Sequence, residues 1–292
     1  FPALASTASD TVFVGLFLLC SILNIEVKLM LGAIIGDIAG SRFEFRNYRK
    51  KDFVLFAPDC TYTDDSVMTA AVAQALLNAE EDYSNLSQQA IQSMKDLGNS
   101  HPDRCYGFHF YQWLFEDQKP YQSYGNGAAM RVSPCAYAAG SLAQTICLAD
   151  EVTRVSHNHP EGMKGAEVTA GAVYLALHGR SMQEIRQYTE RKYPIDFTID
   201  SIRDTYEFDA SCQGTVPQAL ECFYESKDFE DAIRIAVSLG GDSDTIAAIT
   251  GSIAEAYYGI PNSLRIQAAG CLDTELLRIV NHFEEKYPSK TL

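Results

Sequence analysis

Residues 240–259 read Gly240-Gly241-Asp242-Ser243-Asp244-Thr245 and then, without a break, Ile246-Ala-Ala-Ile-Thr-Gly-Ser-Ile-Ala-Glu-Ala-Tyr-Tyr-Gly259. The second part is almost wholly small and aliphatic, and its apolar residues recur at helical spacing. Small side chains let neighbouring helices approach closely, so the stretch predicts a central helix with its acidic start at the floor of a cleft. A second acidic cluster, Thr63-Asp64-Asp65-Ser66, opens in the same way into Val67, Met68, Ala71, Val72, Ala75 and Leu76, at steps of three and four.

The same spacing runs through 136–148, 165–177, 216–223, 232–239 and 276–283, whereas strand-like alternation is scarce. Gly and Pro punctuate the segments, at Gly98, Pro102, Pro120, Pro134, Pro160, Gly179, Pro194 and Pro261, so connections are short. Without internal repeats or low-complexity tracts, the expected fold is one compact, multi-helix, all-α domain.

One side chain is enough to cap a helix, and capping alone would account for either cluster taken singly. Adjacent Asp64 and Asp65, and Asp242 and Asp244 flanking a serine, leave carboxylates that capping does not use. Their mutual repulsion calls for a compensating cation. If the clusters meet, they form an oxygen-only cage for a hard divalent ion, and the lack of His or Cys points to magnesium or manganese rather than zinc.

The chain has 292 residues, 47% of them hydrophobic, enough for a large core. Its formal net charge of −15 argues against an extended nucleic-acid surface, but a small anion held through a metal is compatible with it. Eight scattered cysteines without a C-x-x-C pair read as reduced and cytosolic, so the expected location is cytoplasmic. Residues 1–29 read as an extension to a domain spanning 30–292. Their apolar run, Val12 to Ile25, is short for a membrane span and lacks a basic front, a signal peptide or anchor being the alternative. No membrane partner is expected, and the sequence leaves the oligomeric state open.

Between the clusters lies Ser123-Tyr124-Gly125-Asn126-Gly127-Ala128-Ala129-Met130-Arg131. Its glycines can turn backbone N–H groups toward an anion and Tyr124 offers a face to a base, although an ordinary turn has the same composition. His157 and His159 precede Pro160 at a spacing that does not set both rings on one helix face, which favours a loop role with at most one substrate contact. Asp37 is expected to orient ligands rather than bind metal. Trp113 and its neighbours Tyr106, Phe108, Phe110, Tyr111 and Phe115 are expected in the core.

Together, residues 36–44 (Gly36-Asp37-Ile38-Ala39-Gly40-Ser41-Arg42-Phe43-Glu44), the cluster at 63–66, the loop at 123–131 and the cluster at 241–245 resemble the ADP-ribosylglycohydrolase family, of the dinitrogenase-reductase-activating glycohydrolase type. The resemblance runs from about Met30 to the C-terminal helices. It implies an all-α fold and a centre of two Mg2+ or Mn2+ ions that cleaves the bond between ADP-ribose and an acceptor, the substrate being an ADP-ribosylated protein or a small conjugate.

Carried over by motif, Thr63, Asp64, Asp65, Asp242, Asp244 and Thr245 are the implied metal ligands, with Glu44, Asp64 and Asp65 catalytic. Ser123, Tyr124, Gly125, Asn126 and Gly127 are implied to hold the diphosphate and adenine, His157 to face the substrate, and Tyr106 and Gly107 to contact the ribose. The chemistry fits these residue types, since carboxylates stabilise the oxocarbenium character of a breaking ribosyl bond. Rival readings are another dimetal hydrolase, such as a phosphoesterase, and a noncatalytic ADP-ribose-binding protein.

Overall fold

A computed structural model describes residues 30–116 and 119–288, so the expectation for residues 1–29 lies outside the described residues. Among them are fifteen helices. The first six are α1 (Gly32–Ser41), α2 (Asp64–Asn78), α3 (Leu86–Ser100), α4 (Phe108–Phe115), α5 (Gly127–Met130) and α6 (Ser133–Ala138). There follow α7 (Leu142–Thr153), α8 (Pro160–Leu177), α9 (Met182–Thr189), α10 (Ile199–Ile202) and α11 (Cys212–Tyr224). The last four are α12 (Phe229–Leu239), α13 (Ser243–Tyr258), α14 (Asn262–Cys271) and α15 (Thr274–Lys286). The only pairing of strand type among the described residues is an isolated antiparallel bridge between Gly125 and Ser211.

Helix α13 is central, as its composition predicts: Ser243 to Ala256 are all buried, and α1, α8, α11 and α12 pack around it. Its tightest neighbour is α1. Gly32, Gly36 and Gly40 recur every fourth residue, placing them on one face of α1. A methyl group at Gly36 would lie 2.0 Å from Ala247 O, and one at Gly40 2.4 Å from Asp244 Cα. At the far end, Gly32 and Gly251 meet in the same way, a methyl at Gly251 falling 2.2 Å from Gly32 O. The helices therefore touch backbone to backbone, and the glycines are what permits it.

Glu255 fixes the axial register of this pair. From within α13 its buried carboxylate accepts from Gly32 N at 2.7 Å and Leu31 N at 3.3 Å, satisfying free N–H groups at the start of α1. Its charge is met by Arg265 Nη2 at 3.3 Å.

The helical spacing over 136–148 belongs to two helices, not one. Ala139 turns extended at φ −86° and ψ 143°, and Ser141 caps α7 by accepting from Gln144 N at 3.2 Å. A capping serine beside Gly140 outcompetes continuation of the helix. The aromatic stretch divides as well: Phe110 and Trp113 are core, whereas Phe108 and Tyr111 are exposed. Cysteines 135, 212 and 222 are buried, whereas Cys105 and Cys147 are exposed. No helix among the described residues is long and apolar enough to cross a membrane.

Candidate active site

Both acidic clusters stand at helix N-termini, and the fold brings them together. Asp37, on the glycine-lined helix α1, receives Thr63 N at 2.9 Å, Thr63 Oγ1 at 2.7 Å and Ser66 N at 3.0 Å, and Ser66 Oγ also donates to it. A carboxylate from α1 thus holds the first turn of α2, which leaves Asp64 and Asp65 free of that task. Thr63 is the N-cap of α2, its Oγ1 accepting from Asp65 N at 3.4 Å.

Capping does not account for the second cluster. Asp242 occupies the N-cap position of α13 yet makes no side-chain capping bond, and its Oδ2 instead accepts from Asn126 Nδ2 at 2.7 Å. The preceding Gly240 and Gly241 have φ of +74° and +66°, the left-handed region that glycine enters freely. Asn47 secures this turn by accepting from Gly241 N at 2.8 Å, and Arg49 donates to Leu239 O and Tyr206 O.

Carboxylate oxygens of Glu44, Asp242 and Asp244 come within 4.8 Å of one another, as do those of Asp37, Asp65 and Asp244. Thr245 Oγ1 joins the clusters directly, donating to Asp65 Oδ2 at 3.2 Å. Asp65 Oδ1 is buried and has no hydrogen-bond partner. Burial, and then the neighbouring carboxylates, push Asp64, Asp65 and Asp244 well above the usual carboxylate range. Glu44 rises to about 7, chiefly through burial and then through the charges of Asp242 and Asp37. Crowded oxygen donors with an orphaned carboxylate oxygen among them fit one or more hard divalent cations, which would relieve both the repulsion and the unmet acceptor.

Glu44, Asp64, Asp65, Asp242 and Asp244 line a cleft of about 450 Å³. Gly125, Asn126, Gly127 and Ser123 line it as well, together with Gly107 and His157. The glycine loop is held by Asn126 N donating to Ala210 O at 2.8 Å and Cys212 N donating to Tyr124 O at 2.9 Å. Asn126 Nδ2 also reaches Thr215 Oγ1 at 3.1 Å, and Ser123 Oγ accepts from Gly125 N at 3.2 Å. His157 is buried, and burial followed by the charge of Arg131 keeps its ring well below the usual imidazole range.

A family model described as ADP-ribosylglycohydrolase matches residues 27–290. The chain belongs to the ADP-ribosylglycohydrolase family. Among its relatives is "ADP-ribosylhydrolase ARH3" of Homo sapiens, 29% identical, with 84% of this chain and 89% of that protein covered. "ADP-ribosylarginine hydrolase Tri1" of Serratia proteamaculans is 25% identical over 80% of this chain and 71% of its own length. A solved "ADP-ribosylglycohydrolase-related protein complex" shares the fold at a TM-score of 0.63 and 23% identity, covering 88% of this chain and 95% of its own.

Of the residues that ADP-ribosylglycohydrolase motifs single out, Thr63, Tyr106 and Tyr124 are not among those lining the cleft. Tyr124 is half exposed, its ring set edge-on to His159 at 5.3 Å. Tyr106 is partly buried and packs on Phe110, its Oη buried without a hydrogen-bond partner. His159 is the N-cap of α8, Nδ1 accepting from Glu161 N at 3.1 Å, so the two histidines part company: one caps and one faces the cleft.

Sequence reasoning passed over several residues of the cleft. Phe45 and Phe208, 77% and 48% exposed, stack at 6.2 Å along its rim, where Phe108 is also exposed. An exposed aromatic beside a catalytic candidate leaves no periodic signal. Arg131 closes the stretch 123–131, but only the fold shows it fully buried beside His157.

Proposed function

We propose that this protein hydrolyses the glycosidic bond between ADP-ribose and an acceptor on a protein or small conjugate, using two Mg2+ or Mn2+ ions. The observation that carries the reading is the convergence of Glu44, Asp65, Asp242 and Asp244 in a cleft that the Gly125–Gly127 turn also lines. Thr63, Asp64, Asp65, Asp242, Asp244 and Thr245 would hold the ions. When bound, such ions act as Lewis acids that orient ribose hydroxyls and make bound water more acidic.

The chain's own groups supply the rest. The Ser123–Gly127 loop holds the diphosphate, and Tyr124 offers its exposed face to the adenine. Tyr106 and Gly107 flank the ribose next to the scissile bond, and His157 faces the substrate from beneath the turn. Glu44, in the turn after α1 and less buried than Asp65, Asp242 and Asp244, takes the proton from the attacking water at its carboxylate and returns it to the departing acceptor. The surrounding carboxylates stabilise the positive charge that develops at the anomeric carbon.

A panel of defined ADP-ribosyl conjugates, assayed for free ADP-ribose with Mg2+, with Mn2+ and with chelator, tests this reading. Metal-dependent release of ADP-ribose that is lost in Asp242→Ala is the expected result. Release of phosphate from nucleotides instead, or full activity in chelator, would overturn it.

A further inference from the structure

Arg131 is wholly buried at the end of the glycine loop, with its guanidinium 5.3 Å from the Phe110 ring centroid. Burying a cation is costly, and the side chain therefore invites a reason beyond packing. Its Nη2 donates to Ser156 Oγ at 2.9 Å and lies 3.3 Å from His157 Nδ1. Ser156 Oγ in turn lies 2.8 Å from the same Nδ1.

Guanidinium nitrogens only donate and do not lose their protons in proteins. Ser156 Oγ, accepting from Arg131, turns its own proton toward His157. Both neighbours of Nδ1 thus present protons to it, so Nδ1 must be the accepting nitrogen and the ring proton must sit on Nε2. The Nε2 edge faces the glycine turn: a methyl at Gly127 would stand 3.2 Å from it and one at Gly125 3.6 Å. Among the described residues no hydrogen-bond acceptor meets Nε2.

We infer that Arg131 is a positioning residue which, directly and through Ser156, locks His157 as the neutral Nε2–H tautomer, aiming one fixed hydrogen-bond donor at a substrate oxygen over the Gly125–Gly127 turn. The donor's use rests on the proposed ADP-ribose chemistry; the tautomer does not. The arrangement also assigns His157 a recognition role in place of acid–base work, because the ring that donates from Nε2 has no free nitrogen to take a proton. Glycine at 125 and 127 keeps the donor uncovered.

The test is ring 15N spectroscopy of His157 in the intact protein, without ligand and then with ADP-ribose. The wild-type ring should carry its proton on Nε2 alone and resist protonation from neutral to mildly acidic pH. In Arg131→Met both tautomers should appear and the ring should titrate. Should that variant not fold, Ser156→Ala, which keeps the cation, should raise the share of the Nδ1–H form. A proton on Nδ1 in the wild type, or a ring unaltered in the variants that fold, overturns the lock.

ADP-ribose should then perturb the Nε2–H signal, and Ser156→Ala should bind it about tenfold more weakly, one hydrogen bond's worth, with metal affinity unchanged. Binding that leaves Nε2–H undisturbed overturns the donor role. If ADP-ribose does not bind the wild type while the ring is locked, the functional reading fails and the tautomer assignment stands.

Discussion

Asn126 Nδ2 donates to Asp242 Oδ2 at 2.7 Å, joining the glycine loop to the acidic start of α13 across 116 positions of sequence. The wall of the cleft and its acidic floor are therefore one mechanical unit. Asn126→Ala should leave Asp242 without this donor and free the loop. A hydrogen bond to a charged, buried group contributes about 1.5–3 kcal/mol, so turnover per bound substrate should fall roughly tenfold to a hundredfold. Steady-state kinetics with one defined conjugate, beside a melting curve, checks this; a variant that lost only stability would show the bond to be structural.

Glu44→Gln and Tyr124→Ala should separate chemistry from binding. The first removes the proposed base and should lower kcat far more than it alters ADP-ribose affinity. The second removes an exposed aromatic face and should weaken ADP-ribose by on the order of 1 kcal/mol, with little change in kcat. Calorimetry and single-turnover assays on the same preparations make the comparison.

Stability without metal should depend on pH with a definite sign. Glu44 is raised from 4.5 to about 7, and Asp64, Asp65 and Asp244 are raised as well, so the folded state holds more protons than the unfolded chain. Their contribution is greatest below the unfolded pKa and is lost as pH rises through the folded values, from about 4.5 past about 7 for Glu44. Metal replaces those protons, so the gain in melting temperature on adding Mg2+ or Mn2+ should be larger at pH ~8 than at pH ~5. Thermal unfolding at both pH values, with and without chelator, reads it directly.

Gly36→Ala should be strongly destabilising, because its methyl would fall 2.0 Å from Ala247 O and force α1 away from α13. A loss on the order of 3 kcal/mol is expected for such overpacking. Gly270→Ala is the control: nothing lies within 4 Å of its added methyl, and α14 should gain a few tenths of a kcal/mol, up to about 1. Urea denaturation of the two variants should give opposite signs.

Glu255→Ala should cost about 3–5 kcal/mol, since it strips Arg265 of its buried carboxylate and opens the capping bonds at Leu31 and Gly32. Glu255→Gln, which keeps an acceptor but not the charge, should lose less. Urea midpoints of both variants test the order.

Local pattern determined much of this protein. Helix periodicity placed α2, α8, α11, α12, α13 and α15, because helical hydrogen bonds join residues four apart and the buried face repeats at the same short range. The surplus of carboxylates over what capping needs marked the two clusters, and the small side chains after Asp244 marked α13 as central. Where a short-range competitor was present the pattern misled, as at Gly140 and Ser141, which divide α6 from α7.

Tertiary structure decided what the clusters touch. That Asp37 secures Thr63 and Ser66, that Asn126 reaches Asp242, that Glu255 caps α1, and that Arg131 reaches Ser156 and His157 are all consequences of packing between distant segments. Such contacts carry no period and no motif, since a hydrogen bond between residues far apart depends on how the intervening helices pack. The glycines of α1 connect the two levels: their four-residue spacing is visible in the chain, but only the approach of α13 shows that each stands where a side chain would collide with backbone.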